Sequence, residues 1–179
     1  TQHAHSIATD DLIKCFSKKH KIIIQTRNIL DTIVSLKDGM TRSKKKFWLP
    51  MAEEYWDNKN IDHYKDLIFN YLPFHINFLN SWLWHSKNSD LDISFVKYND
   101  IINDNNQTII IKNIFSKFNV DINFDNIPLV EKSLDNNFNI GLEGRGKKLI
   151  PKKYVEEIKD KLLTNDYFGF NLLNYLDED

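Results

Sequence analysis

The sequence contains few cysteines, glycines and prolines, the residues that most often cross-link a small protein or end its helices and strands. Its 179 residues include one cysteine, five glycines and four prolines. The single Cys15 excludes an internal disulfide framework and a cysteine-rich zinc site. It also fits a reducing compartment, so we expect a cytoplasmic protein. No apolar run approaches the ~18 residues that a membrane-spanning helix needs, so no membrane span is expected in this chain.

An excess of charge of either sign is also lacking. Lys and Arg total 24, Asp and Glu total 25, and the formal net charge is −1. This balance argues against a strongly basic nucleic-acid-binding protein, and no nucleic-acid partner is expected. Hydrophobic residues make up 41% and charged residues 27% of the chain, which is typical of a soluble globular protein. The length predicts a single domain over residues 1–179.

Hydrophobic patterning predicts an α/β fold. The β-branched run at 21–26 is typical of a buried parallel strand with both faces covered. Apolar spacing then predicts a helix that stops at Gly39. Further along, the pattern predicts two helical pieces over 61–87 parted by Pro73, a second strand over 93–98, a helix over 107–118 and a helix opened by Pro151.

Arginine is rare, with only Arg27, Arg42 and Arg145, so each one is of interest. Arg27 stands at the carboxyl end of the first predicted strand, where open α/β sheets bind ligands. Asn28 and Asp31 begin the following turn, and Ser35 follows within the predicted helix. A strand-end Arg, a helix N-terminus and a hydroxyl together predict a phosphate site. The alternative is an Arg paired with Asp31 or another surface carboxylate.

A basic, glycine-containing loop is the second candidate. Its glycines would let backbone amides approach an anion, and its side chains would add positive charge. The alternative is a solvated turn. The loop has neither the GxxxxGK[ST] nor the GxGxxG pattern, which excludes ordinary P-loop and dinucleotide-binding sites. The residues concerned are Gly141, Gly144, Arg145, Gly146, Lys147 and Lys148.

Histidines and aromatic residues supply the remaining candidates. His3 and His5 would share one face of a strand, but no carboxylate cluster accompanies them, so no metal is expected. A lone His as general base for a hydroxyl is the hypothesis, and an ordinary surface His is the alternative. His75 and Trp82 lie on a predicted aromatic helix, where they either line an acceptor pocket or belong to the core.

Taken in order, these segments resemble a sulfotransferase, a family that transfers a sulfuryl group from 3′-phosphoadenosine-5′-phosphosulfate (PAPS) to a hydroxyl or amine. Residues 21–35, KIIIQTRNILDTIVS, are similar to the family motif K-I-I-x-x-x-R-N-x-x-D-x-x-x-S. The resemblance implies that Arg27 and Ser35 hold the 3′-phosphate. It also implies His5, with His3 as fallback, as the catalytic base, and it implies Tyr98 near the adenine.

Two further segments extend the resemblance. Residues 74–82 resemble the family's aromatic helix, H-V-x-x-W-W. Residues 139–147, NIGLEGRGK, resemble its loop R-K-G-x-x-G-x-W-K, with Asn139-Ile140 in place of the usual Arg-Lys pair. The resemblance implies cofactor contacts at Gly141 and Gly144, with Arg145 or Lys147 compensating for the missing pair.

The resemblance covers roughly residues 1 to 165 and implies a parallel-sheet, P-loop-like sulfotransferase fold. By this resemblance we expect the family's N-terminal strand, phosphosulfate-binding loop and helix to lie outside this chain. We expect transfer from PAPS, leaving adenosine 3′,5′-bisphosphate (PAP), to a small-molecule or glycan acceptor without a metal. The missing segment would come by association, or the chain would form a homo-oligomer. The alternatives are a non-catalytic nucleotide- or partner-binding module and a diverged small-molecule kinase.

Overall fold

The computed structural model describes residues 6–16, 20–42, 55, 58, 60–102, 107–120 and 144–176. This part of the chain is mixed α/β, mostly helical, with a two-stranded parallel sheet. Contacts divide the chain into a sheet unit, Thr1–Arg27 with Ser81–Gly141, and a helical unit, Asn28–Asn80 with Leu142–Asp179. The single domain over residues 1–179 stays a prediction.

The order of elements follows the predicted alternation. The strands are β1 (Lys21–Thr26) and β2 (Asp92–Lys97). The helices are α1 (Asp10–Lys14), α2 (Ile29–Arg42), α3 (His63–Asn70), α4 (Leu72–Asn88), α5 (Tyr98–Ile102), α6 (Gln107–Lys117), α7 (Arg145–Leu149) and α8 (Lys152–Thr164), followed by a 3-10 turn at Leu172–Tyr175.

The sheet unit is built on the parallel pairing of β1 and β2. The register runs from Lys21 opposite Asp92 to Thr26 opposite Lys97, so both strands end at the same edge. Lys21 and Asp92 also form an ion pair of 2.7 Å at the start of the sheet. Parallel pairing is therefore confirmed, and the carboxyl ends of the two strands bring the residues that follow them side by side.

The prediction that both faces of β1 are covered is wrong. Ile22, Ile24 and Thr26 are buried, whereas Ile23 on the opposite face is 43% exposed. A continuous β-branched run is typical of a strand buried on two sides, but the same residues also suit a half-buried strand because their β propensity serves either environment.

The helical unit has a core of branched aliphatic side chains on one face of each helix. Helix α2 packs against α7 and α3, and α3 and the 3-10 turn pack against α8. Tyr154 of α8 donates a hydrogen bond to Asp62, the residue that caps α3. The fully buried residues include Ile29, Leu30, Ile33, Leu67, Ile68, Leu72, Leu79, Ile158, Leu162, Leu172 and Leu176.

Two predicted helix boundaries are corrected by the structure. Helix α2 continues through Gly39 to Arg42, because Met40 beyond the glycine is buried at 6% exposure and one interior glycine costs only about 1 kcal/mol. The two helices over 61–87 do exist, but they part at Tyr71. Pro73 lies in the first turn of α4, where a missing N–H removes no intrahelical hydrogen bond.

None of the helices in the described residues combines the length and apolar character needed to cross a membrane.

Candidate functional site

Arg27 and Tyr98 lie side by side where β1 and β2 end. Because Thr26 is paired with Lys97, the next residue of each strand falls at the same edge of the sheet. The Arg27 guanidinium carbon lies 4.5 Å from the centroid of the Tyr98 ring, within the range of a cation–π contact. The sequence placed both residues at strand ends, and the structure brings their side chains into contact.

The Arg27 guanidinium keeps an unused donor inside the protein. Its Nε is buried and has no hydrogen-bond partner among the residues that the structure describes. The alternative of an Arg paired with Asp31 or another surface carboxylate stays a prediction. A buried unpaired donor is costly, and Arg stays protonated in proteins, so this guanidinium is suited to an oxyanion.

Asn28, which follows Arg27, has a structural role within the helical unit. Its Oδ1 accepts a hydrogen bond of 3.2 Å from the Asp31 amide and so caps the start of α2. Its Nδ2 donates to the Leu176 carbonyl oxygen at 2.5 Å, which anchors the 3-10 turn. The polar side chain next to Arg27 is therefore fully used in holding the fold.

Asp31 binds the glycine loop. Its Oδ2 accepts a hydrogen bond of 2.9 Å from the Gly144 amide, and its Oδ1 accepts one of 2.6 Å from the Gly146 amide. The carboxyl residue is 2% exposed. The sequence predicted that amides of this loop face an anion, and for these two amides the anion is a side chain of the chain itself. A cofactor role for Gly144 stays a prediction.

The shape of the glycine loop depends on two glycines. Gly144 has a φ of +72°, in the left-handed region that favours glycine. Gly146 lies directly against the first turn of α2, because a Cβ built on it would stand 2.3 Å from the Leu30 Cβ. Between them, Arg145 forms an ion pair of 2.5 Å with Asp38, which ties α7 to α2 a second time.

The remaining residues predicted to contact the cofactor or to act as the base lie apart from Arg27 and Tyr98 in the sequence. Ser35 is half-buried on α2, in the helical unit, whereas Arg27 belongs to the sheet unit. Lys147 is exposed on α7. The proposed base His5, its fallback His3 and the loop residue Gly141 lie outside the described residues. The roles of these residues stay predictions.

Trp82 anchors the chain that follows the histidine pair. The residue is 5% exposed, and its indole N–H donates a hydrogen bond of 2.9 Å to the Ser6 carbonyl oxygen. The adjacent Ser81 hydroxyl accepts one of 3.0 Å from the Ala8 amide. These contacts fit a core position for Trp82. A role of this residue in lining an acceptor pocket stays a prediction.

His75 sits among aromatic rings on α4. Its ring centroid lies 5.9 Å from that of Tyr71 and 6.2 Å from that of Phe78. Although part of the residue reaches the surface, Nε2 is buried without a hydrogen-bond partner in the described part of the chain. This burial lowers the pKa of His75 to about 4. The residue is therefore neutral at pH 7, and its role in a substrate pocket stays a prediction.

The low pKa of His75 predicts that the free energy of unfolding decreases at acidic pH. In the unfolded chain an ordinary His titrates near 6.5, so between pH 6.5 and pH 4 the unfolded state binds a proton that the folded state does not. Stability is therefore lost as the pH falls through that window, by about 3 kcal/mol in total. We expect urea unfolding of the wild type at pH 7.5 and pH 4 to show this loss, and His75→Phe to lack it. Parallel pH profiles of the two proteins would contradict the assignment.

A search of the described residues finds no group of three or more His, Cys, Asp or Glu side chains able to hold a metal ion. In the comparisons with known proteins, no family model, no curated protein and no solved structure matches the chain.

Proposed function

We propose that the chain is a sulfotransferase domain of P-loop-like fold that binds a 3′-phosphorylated adenosine nucleotide through Arg27. The observation that carries the proposal is the buried, unpartnered Nε of this Arg at the carboxyl end of a parallel strand. The sequence KIIIQTRN supplies the second support, because it is similar to the 3′-phosphate motif of that family. An Arg fork recognises phosphate with two parallel hydrogen bonds, which makes it selective as well as attractive.

The proposed reaction needs positioning and charge stabilisation more than covalent catalysis by the protein. The acceptor oxygen would attack the sulfur of PAPS as the bond from sulfur to the 5′-phosphate oxygen breaks. His5 would take the acceptor proton, and PAP would leave with the electron pair. A general base contributes about 10²–10⁴-fold to such a rate. Cationic donors would stabilise the charge that develops on the departing phosphate oxygen.

A binding module without transferase activity is the second candidate. It is favoured by the Asp31 contacts, which occupy the amides of Gly144 and Gly146 with a carboxylate of the chain. The replacement of the usual Arg-Lys pair by Asn139-Ile140 points the same way. Such a module would bind PAP and PAPS with similar affinity and release no PAP from PAPS when acceptors are added.

Calorimetric titration with PAP, 5′-AMP and ATP tests the proposal. We expect the wild type to bind PAP more tightly than 5′-AMP, and Arg27→Ala to weaken PAP binding about 10- to 100-fold, because a hydrogen bond to a charged group is worth about 1.5–3 kcal/mol. Lys97→Ala is the matched control, because it removes one positive charge from an exposed residue at the end of the paired strand. That variant should bind PAP within about 3-fold of the wild type, as expected for a surface charge.

Two results would redirect the proposal. If Arg27→Ala binds PAP as the wild type does, Arg27 is not the 3′-phosphate ligand. If the wild type prefers ATP with magnesium to PAP, the kinase alternative replaces the sulfotransferase. Thermal unfolding of each variant belongs beside the titration, so that a loss of binding is not confused with a loss of fold.

A further inference from the structure

We infer that Tyr98 is a positioning residue that holds the Arg27 guanidinium against its ring face and so aims the Arg fork at an oxyanion. This inference rests on the proposed function and refines it. The family resemblance implies that this Tyr lies near the adenine, whereas the structure gives it a contact with the phosphate-binding Arg.

The contact is set by the backbone on both sides. Arg27 directly follows β1 and Tyr98 directly follows β2, and the strands are in register up to the preceding pair, Thr26 and Lys97. Tyr98 is also the first residue of α5, so its backbone is fixed by a strand before it and a helix after it. The Tyr98 side chain therefore starts from a defined backbone position, and the 4.5 Å distance from its ring centroid to the Arg27 guanidinium carbon lies well within cation–π range.

An aromatic ring in this position restricts the conformations of the Arg27 side chain before a ligand binds. An Arg side chain loses rotamer freedom when it is fixed, and that cost otherwise falls on ligand binding. A guanidinium already lying against an aromatic face has lost part of this freedom before the ligand arrives, so less affinity is lost in ordering it. The contact leaves the N–H groups at the edge of the guanidinium plane, where a phosphate or sulfate group accepts hydrogen bonds.

The geometry also limits how a nucleotide base can use Tyr98. The ring face that lies under the Arg27 guanidinium is occupied, so a purine cannot stack on that face. Tyr98 therefore affects the affinity for the 3′-phosphate more than the affinity for the nucleoside.

Two substitutions separate the ring from the hydroxyl. Tyr98→Phe keeps the ring face, and we expect its affinity for PAP to stay within about 3-fold of the wild type. Tyr98→Leu removes the ring, and we expect PAP binding to weaken about 5- to 30-fold, the range of a cation–π contact from partly exposed to desolvated. The affinity for 5′-AMP, which has no 3′-phosphate, should change less than about 3-fold in both variants, so the preference for PAP falls only in Tyr98→Leu.

The NMR signal of the Arg27 side chain reports how firmly this side chain is held, without any nucleotide. The Nε–H signal of Arg27, identified by its disappearance in Arg27→Ala, should be sharp and protected from exchange in the wild type and in Tyr98→Phe. It should broaden in Tyr98→Leu. Each outcome has a defined meaning. Equal weakening of PAP and 5′-AMP in Tyr98→Leu, or equal loss of PAP binding in both variants, would overturn the positioning role.

The test keeps this inference distinct from the proposed function. If the wild type does not distinguish PAP from 5′-AMP, the proposed function fails, and the contact between the two side chains is then decided by the NMR signal alone. If the wild type does distinguish them and Arg27→Ala does not, the 3′-phosphate site of the proposed function holds. An unchanged Arg27 signal together with an unchanged nucleotide preference in Tyr98→Leu would then reject the inference by itself.

Discussion

Gly146→Ala is expected to destabilise the protein by about 3 kcal/mol or more, at the upper end of the cost of overpacking. A Cβ at this position would stand 2.3 Å from the Leu30 Cβ, 2.4 Å from the Leu30 carbonyl carbon and 2.7 Å from the Asp31 amide nitrogen. Two of these atoms are backbone of α2, so no side-chain rotation relieves the contact. The helix and the glycine loop would have to separate, which would also break the hydrogen bonds from the loop to Asp31. Urea unfolding at pH 7.5 measures the loss.

Gly39→Ala is the matched control for that experiment. Gly39 lies in the same helix, α2, and a Cβ built on it meets nothing within 4 Å. Alanine there should raise the free energy of unfolding by about 0.5–1 kcal/mol, because glycine is the poorer helix former. If Gly146→Ala is as stable as the wild type while Gly39→Ala behaves as expected, the glycine loop does not lie as close to α2 as the structure shows.

Asp31→Ala is expected to cost about 2–5 kcal/mol of stability, because each buried N–H left without a partner costs about 1–3 kcal/mol. The carboxylate accepts both the Gly144 and the Gly146 amide, and the residue is almost fully buried. Asp31→Asn retains one acceptor oxygen and should lose an intermediate amount. Thermal or urea unfolding of the pair gives the comparison.

The control for Asp31 is another acidic residue in the first turn of a helix. Asp11 occupies that position in α1 and is exposed, with a surface ion pair to Lys14. Asp11→Ala should cost less than about 1 kcal/mol, as expected for an exposed pair at a helix N-terminus. Similar losses for Asp11→Ala and Asp31→Ala would mean that the Asp31 contacts with the glycine loop contribute no special stability.

The parts of the fold that sequence reasoning predicted are those with local causes. The run 21–26 forms a strand because its β-branched residues favour extended backbone, and the apolar periodicity from Ile29 onward gives α2. Pairing and direction also followed, because a strand, a helix-rich connection and a second strand favour parallel pairing. The exposure of Ile23 was not predictable, since it depends on what packs over the sheet.

The candidate site divides in the same way. The position of Arg27 at a strand end follows from local patterning and the register. The role of Asp31 does not, because its partners Gly144 and Gly146 lie far along the chain and are brought near by packing. An Asp in the first turn of a helix is common for electrostatic reasons alone, so the position of Asp31 does not indicate a specific partner. The stack of Arg27 on Tyr98 was likewise visible only once both strand ends were placed together.

The proposed recognition of a 3′-phosphate by Arg27 can be tested directly. The most direct measurement is the calorimetric affinity of PAP and of 5′-AMP for the wild type and for Arg27→Ala under identical buffer and salt. We expect the wild type to prefer PAP by at least about 10-fold, and the preference to fall close to one in the variant because the charged hydrogen bonds to the 3′-phosphate are lost. Equal affinity of the wild type for both nucleotides, or an unchanged preference in Arg27→Ala, would contradict it.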